Sequence, residues 1–244
     1  MLNGKLSVVM PGYNEGSRVY ANLFETVQAL REMAQEFEIV FVNDGSTDDT
    51  LQNAQKAAAE WDCIKIVHCS INRGKGSALK AGVEEASGEY IAFLDGDLDV
   101  RPSQLKRLIE TMEEKQADVV IGSKLHPDSQ VDYPRRRRLI SYGYYLMLRI
   151  FFQLNVRDTQ TGIKLFKAPA IKPVMRKILV KGFAYDIEVL AIINRMKFRI
   201  VDAPIKLDFL RGRRWGRITI KDVLEVFKDT LMVFYRMYIL KYYD

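Results

Sequence analysis

In "FLDGDLDVRP", residues 93–102, an apolar run gives way to three carboxylates at alternate positions, Asp95, Asp97 and Asp99. Carboxylates this close repel one another unless a cation neutralises them. Hard oxygen donors suit magnesium or manganese, and those ions in turn suit a diphosphate. Asp99 also has a plainer reading as a helix N-cap or turn former. A second stretch, "NRGKGSA", follows one expected strand and opens one expected helix, so its backbone amides and Lys75 can meet a phosphate. With two of the three glycines of a dinucleotide fingerprint, it can equally be an ordinary tight turn. No Gly-rich loop ends in Gly-Lys-Ser/Thr. The two histidines, His68 in an expected strand and His126 beside Pro127, fit neither a Ser/His/Asp triad nor a metal-ligand spacing. His68 is expected in the core, and histidine base catalysis is not expected.

Groups like these need a scaffold that brings them together. Short β-rich runs recur between helical patterns: "LSVVMPGY", a helix over Ser17 to Gln35, "FEIVFVND", a helix from about Thr47, "IKIVHC", a helix from about Lys75, and "YIAFLDGD". This alternation implies a doubly wound α/β fold with a mostly parallel sheet, and near-continuous apolar strands imply helices on both faces. Ligands of such sheets bind beyond the carboxyl ends of the strands, where Tyr13, Asn14, Glu15, Asn43, Asp44, Asp95 and Asp97 all fall. Beyond Asp99 the pattern gives a helix near Pro102, a strand in "ADVVIGSK", a basic turn "YPRRRR" and an apolar segment from Leu139 to Val156. A loop entering a strand, "RDTQTGIKLFK", a strand in "RIVDAPIKLDF" and a long helix from Thr219 follow. With no repeat, low-complexity tract or linker, the second half reads as an extension of the same sheet.

The 244 residues, 48% hydrophobic, suffice for one large core. A net charge of +6 favours anionic partners such as nucleotides, phospholipid head groups or nucleic acid. Cys63 and Cys69 form no framework of pairs, which fits a reduced compartment and two core positions. The first ten residues lack a signal peptide's apolar segment, and no stretch reaches the roughly 18 to 20 apolar residues that span a bilayer. The nearest, Leu139 to Val156, is interrupted by Arg149 and Gln153. Arg135 to Arg138 precede that apolar segment, where positive charge opposes the helix dipole. They are either a solvated face or a phosphate site, in which Arg137 and Ser141, one helical turn apart, present two donors while the residues that follow lie in a membrane interface. "RGRRWGR" and "LMVFYRMYILKYY" repeat this mixture of cations and apolar bulk, and the latter reads equally as a core-packing or an interfacial helix.

Five stretches, "VVMPGYNE", "VNDGSTDDT", "NRGKGSA", "FLDGDLD" and "RDTQTGIKLF", resemble in this order the inverting family 2 glycosyltransferases of the GT-A fold. Within that family they look like the dolichyl- and polyprenyl-phosphate glucosyltransferases and mannosyltransferases, and the resemblance covers nearly the whole chain. It implies that Pro11, Tyr13, Glu15 and Asp44 surround the nucleoside, with Lys75 near that pocket, and that Asp95, Asp97 and Asp99 face the metal and diphosphate. Many mannosyltransferase relatives carry glutamine where Asp99 stands, a departure that bears on the donor. "RDTQTGIKLF" looks closer to the glucosyltransferases, with Asp158, Gln160 and Thr161 on the acceptor or sugar side. Similar relatives set an arginine and a serine, here Arg137 and Ser141, against the acceptor phosphate, with a further basic contact where Lys124 stands. A basic loop closing on the donor diphosphate is implied for Arg213 or Arg214.

The resemblance thus implies a single GT-A domain over 1–244, with a nucleotide-sugar half over about 1–123 and an acceptor half with interfacial helices over about 124–244. The expected reaction is metal-dependent inverting transfer of a hexose, glucose favoured, from UDP-glucose or GDP-mannose to a polyprenyl phosphate, with Mg2+ or Mn2+. The acceptor phosphate is already an anion at neutral pH and can attack without a base. The chain is expected to work peripherally on the cytoplasmic membrane face, as a homo-oligomer or beside a membrane-anchoring partner, and not on nucleic acid. One alternative is a polyprenyl-phosphate mannosyltransferase. Another is a family 2 transferase acting on a sugar hydroxyl, which needs a base such as Asp158 or Asp186. A non-enzymatic basic module binding anionic membranes leaves the carboxylates unexplained.

Overall fold

Residues 2–131, 135–182, 184–207 and 220–244 are described by the computed structural model, with the side chains of 135–142 and 220–225 outside that description. The first half alternates as its pattern demands: β1 (Leu6–Gly12), α1 (Arg18–Arg31), β2 (Phe37–Asp44), α2 (Thr50–Glu60), β3 (Ile64–Cys69), α3 (Lys75–Glu85) and β4 (Tyr90–Phe93). After a short 3₁₀ turn, Pro102–Gln104, come α4 (Leu105–Glu114), β5 (Val119–Ser123), α5 (Arg135–Phe152), β6 (Lys164–Lys167), α6 (Ala168–Lys177), α7 (Tyr185–Arg195), β7 (Ile200–Pro204) and α8 (Ile220–Phe234). A π-helical turn, Tyr235–Ile239, continues α8.

Successive side chains of a strand point to opposite faces. Val8 and Met10 of β1, with Ile39 and Phe41 of β2, therefore pack into one cluster with Leu23 of α1, Ala54 of α2 and Leu108 of α4. Val9, Val40 and Val42 point the other way, into a cluster with Leu79 of α3, Phe152 of α5 and Ile171 of α6. Helix α1 buries Val19, Leu23, Val27 and Leu30 at helical spacing. Each such burial contributes about 1.5–3 kcal/mol and fixes the helix on the sheet. Two polar residues, Asn22 and Thr26, lie buried in the same stripe.

Seven strands form one sheet in the order β3-β2-β1-β4-β6-β5-β7. Neighbours pair in parallel except around β6, which runs antiparallel to both β4 and β5. The mostly parallel expectation therefore holds with one inserted reversal. The chain steps outward from β1 to β2 and β3, then returns to lay β4 on the other side of β1. The crevice opens beyond the carboxyl ends of β4 and β5, between the loops that follow them and the segment that enters β6.

Some expectations fail for physical reasons. β3 is an edge strand, so His68 is exposed, its Nδ1 lying 2.8 Å from Asn43 Nδ2, and is not a core residue. Cys63 and Cys69, also on or beside that edge, are half-buried. Helices α6 and α7 were not foreseen. Helix α7 is buried at every position from Tyr185 to Ile193, so no polar face marks its period. No helix among the described residues is long and apolar enough to cross a membrane.

Candidate active site

The loop after β1 is stitched to the loop after β2. Asn14, in the left-handed region at φ 52°, accepts the Thr47 amide through Oδ1 at 2.9 Å and donates its own amide to Ser46 Oγ at 3.1 Å. Thr50 Oγ1 accepts the amides of Glu15 and Gly16 at 2.8 and 2.9 Å. Glu15 pairs with Arg18 at 3.0 Å, Pro11 is half-buried, and Tyr13 is 45% exposed. Asp44, nearly buried, accepts the amides of Arg73 and Gly74, each at 3.0 Å. Its carboxylate thus shapes the loop that enters α3, besides the place near the nucleoside that the resemblance implies. Gly45 between them stands at φ 69° with the Asn72 amide where a Cβ would be, so only glycine serves there.

Lys75, the first residue of α3, does not turn to that loop. Its Nζ lies 2.5 Å from Asp95 Oδ1. A second ion pair lies behind: Lys164 Nζ meets Asp186 Oδ1 at 2.6 Å and donates to the Thr161 carbonyl at 2.5 Å, with Lys164 and Asp186 only 1% and 6% exposed at their side chains. The four groups alternate in sign. Burial alone would raise the Asp95 carboxyl, yet the ammonium groups of Lys75, Lys164 and Lys124 hold it below the ordinary carboxylate range. Burial opposes the charge of Lys75, and Asp95, Asp186 and Asp97 override it to keep the group above its usual value. Deeper in, burial wins: it pushes Asp186 up against the pull of Lys164 and Lys75, and pushes Lys164 down despite Asp186. Lys164 escaped the sequence reading although it lies within "RDTQTGIKLF".

The opposite wall is the segment 158–162. Asp158 Oδ2 accepts the Lys124 amide at 3.1 Å and the Thr161 hydroxyl at 2.8 Å, while Oδ1 accepts the Gln160 amide at 3.1 Å. Lys124 Nζ lies 3.7 Å from the same carboxylate. Asp158 is thereby the anchor of its own turn. A side chain at Gly162 would collide with the Asp95 carboxylate, so the backbone of this wall lies directly on that group. Asp95, Asp99, Lys124, Gln160, Thr161 and Gly162 together line the crevice.

Against this wall lies the carboxylate loop, which begins at Asp95. Its Gly96 amide donates to the Pro11 carbonyl at 3.2 Å, and Asp97 Oδ1 accepts the Asp99 amide at 3.3 Å. Asp99 is exposed and caps no helix. Among the described residues no three His, Cys, Asp or Glu side chains converge into a metal cage. Magnesium and manganese need no such cage, since one or two carboxylates with phosphate oxygens and waters satisfy them. The donor set of Asp97 with Asp95 or Asp99 fits that arrangement. The side chains of Arg137 and Ser141, on a helix that starts at Arg135, lie outside the described residues, as do Arg213 and Arg214.

The model of "Glycosyl transferase family 2" matches residues 7–181. The chain is 30% identical over 247 residues to dolichyl-phosphate beta-glucosyltransferase of Saccharomyces cerevisiae, covering 93% of this chain and 73% of that protein. It is 28% identical over 243 residues to the Homo sapiens protein of the same name, covering 94% and 74%. Glycosyltransferase AglD of Haloferax volcanii is 30% identical over 236 residues, 89% of this chain but 38% of that longer protein. Among solved structures, glucosyl-3-phosphoglycerate synthase from Mycobacterium tuberculosis in complex with Mn2+, UDP-glucose and phosphoglyceric acid superposes with a TM-score of 0.68 at 16% identity, over 96% of this chain and 79% of that one. That likeness is one of fold.

Proposed function

The chain belongs to glycosyl transferase family 2 and is a glycosyltransferase, and on that premise we propose that it transfers glucose, with inversion, from UDP-glucose to dolichyl phosphate or another polyprenyl phosphate. The observation that carries the phosphate acceptor is the engagement of both carboxylates suited to act as a base. Asp158 accepts two hydrogen bonds within its own turn and a third from the Lys124 amide, and Asp186 is buried against Lys164. A hydroxyl acceptor needs a base within reach, whereas a phosphate arrives as an anion. The names of the yeast and human relatives support glucose and a dolichyl phosphate.

In this reading Pro11, Tyr13, Glu15 and Asp44 flank the nucleoside. Asp97, with Asp95 or Asp99, would hold a magnesium or manganese ion, which would supply positive charge against the leaving diphosphate. Lys75 keeps Asp95 ionised and in place, and Arg213 or Arg214 meets the diphosphate from its other side. Lys124, Arg137 and Ser141 receive the acceptor phosphate, Lys124 as a point charge. One phosphate oxygen attacks the anomeric carbon from the face opposite the leaving UDP, and the bond from that carbon to the diphosphate breaks with its electrons leaving on UDP. Positioning two anions in line and stabilising the leaving charge account for the rate.

A seat on the cytoplasmic face of a membrane belongs to the same reading. Leu146 and Ile150 of α5, Phe227 and Leu231 of α8, and Ile239 and Leu240 beyond it are exposed, with Arg149 and Lys241 among them. Apolar bulk rimmed by cations suits an anionic lipid surface. The test is transfer of labelled sugar to a short polyprenyl phosphate from UDP-glucose and GDP-mannose in parallel, with magnesium, manganese or chelator. Metal-dependent transfer from UDP-glucose is expected. Transfer from GDP-mannose alone, or transfer indifferent to chelator, contradicts the reading.

A further inference from the structure

Helix α1 holds the carboxylate loop at two points one turn apart. Asn22, 2% exposed, donates from Nδ2 to the Gly96 carbonyl at 2.7 Å, the carbonyl of the peptide that joins Gly96 to Asp97. Three residues on, Glu25 receives Arg101 Nη1 on both carboxylate oxygens, at 2.8 and 2.7 Å. Residues i and i+3 share a helix face, so one face of α1 fixes both ends of residues 96–101. The third tie is the Gly96 amide on the Pro11 carbonyl, with that oxygen 2.8 Å from where a Gly96 Cβ would stand. Between the ties, Leu98 is buried at φ 52°, a left-handed conformation that a leucine adopts only where its surroundings impose it. Asn22 itself interrupts an apolar stripe, where burying an amide is costly unless its hydrogen bonds are made.

We infer that Asn22 and Glu25 are positioning residues for the reaction, holding the loop so that Asp97 faces the cation and diphosphate. Neither side chain touches the substrates; both act through the backbone between Gly96 and Arg101. The inference rests on the metal-dependent reading above. Asn22→Leu keeps the side chain's size, matches the apolar stripe and removes the donor. Glu25→Ala removes the surface tie, and Glu25→Gln retains an acceptor oxygen for Arg101.

The experiment titrates Mn2+ into the full chain with UDP present, reading free Mn2+ by electron paramagnetic resonance, alongside melting curves and donor kinetics. Outer-shell partners of metal ligands typically change affinity about 10- to 100-fold when removed. Asn22→Leu is expected to weaken Mn2+ within that range while its melting temperature stays near wild type, Glu25→Ala to weaken it by a smaller factor, and Glu25→Gln to recover most of it. Folded Asn22→Leu and Glu25→Ala proteins that bind Mn2+ as wild type does overturn the inference. If Asn22→Leu fails to fold, Glu25→Ala decides by the same criterion. Absence of UDP-dependent Mn2+ binding in wild type overturns the metal reading itself and the inference with it.

Discussion

Replacing Lys164 with methionine keeps most of the side chain's length and removes its ammonium. Asp186, 2.6 Å away and 4% exposed, then loses its nearest cation, and the Thr161 carbonyl loses a donor. Breaking a buried pair from one side costs about 3–5 kcal/mol, because the remaining charge is stranded. Two features moderate that here: Lys75 still faces Asp186, and Asp186 can take up a proton, toward which burial already pushes it. We therefore expect a loss of about 3 kcal/mol at neutral pH, a large share of the roughly 5–15 kcal/mol that holds a domain together. The sign with pH follows. A carboxyl whose folded pKa lies above its unfolded value binds its proton more tightly when folded, so the variant's deficit should grow as pH rises. Lys164→Met with Asp186→Asn removes both charges and should recover at least about 1 kcal/mol, the coupling expected of residues in contact. Urea unfolding of wild type, both single variants and the double variant at two pH values measures these terms. A single-variant loss below about 1 kcal/mol, or a double variant no more stable than Lys164→Met, would refute the buried-pair reasoning.

Glu38 receives Ser7, Lys5 and the Ser87 amide, which together override burial and pull it down to about 2. Its folded pKa is depressed, so its contribution is full above about pH 4.5 and fades as pH falls toward 2; discounted for solvent exposure, Glu38→Gln should cost about 1–2 kcal/mol at pH 7 and less at pH 3, read from urea midpoints. Gly162→Ala sets a methyl against the Asp95 carboxylate, which should lower turnover at least about tenfold while overpacking costs about 1–3 kcal/mol; unchanged kcat would count against the tight wall. Tyr243 donates its hydroxyl to buried Glu188, which also accepts the amides of Leu179 and Val180. Tyr243→Phe should cost about 1–2 kcal/mol and speed amide exchange at 179–180, and unaltered exchange there would show that the two amides and Arg236 hold Glu188 without the hydroxyl.

The strands and the crevice were legible because their signals are local. β1 and β2 are near-continuous apolar runs with period-two packing, and each ends in its polar loop within a few residues. β6 and α7 were harder. A four-residue strand carries no period of its own, and only the fold reveals that it runs against its neighbours. Helix α7 is buried all round and has no stripe to read. The ion network is non-local: Lys164 and Asp186 stand on separate elements, and nothing in either neighbourhood announces the other. Asn22 was the signal available and unread, a polar residue spaced with Val19 and Leu23 on the buried face of α1. His68 shows the converse, since an apolar strand pattern does not say which strand lies at the edge.

A phosphate acceptor needs no protein base, and an alcohol acceptor does. The direct measurement offers the full chain UDP-glucose with polyprenyl phosphate or with the matching polyprenol, and follows labelled lipid product. Glucosyl phospholipid is expected from the phosphate and none from the alcohol, with turnover surviving Asp186→Asn in protein that remains folded. Transfer to the alcohol, or abolition of phosphate transfer by Asp186→Asn at wild-type stability, would contradict this expectation.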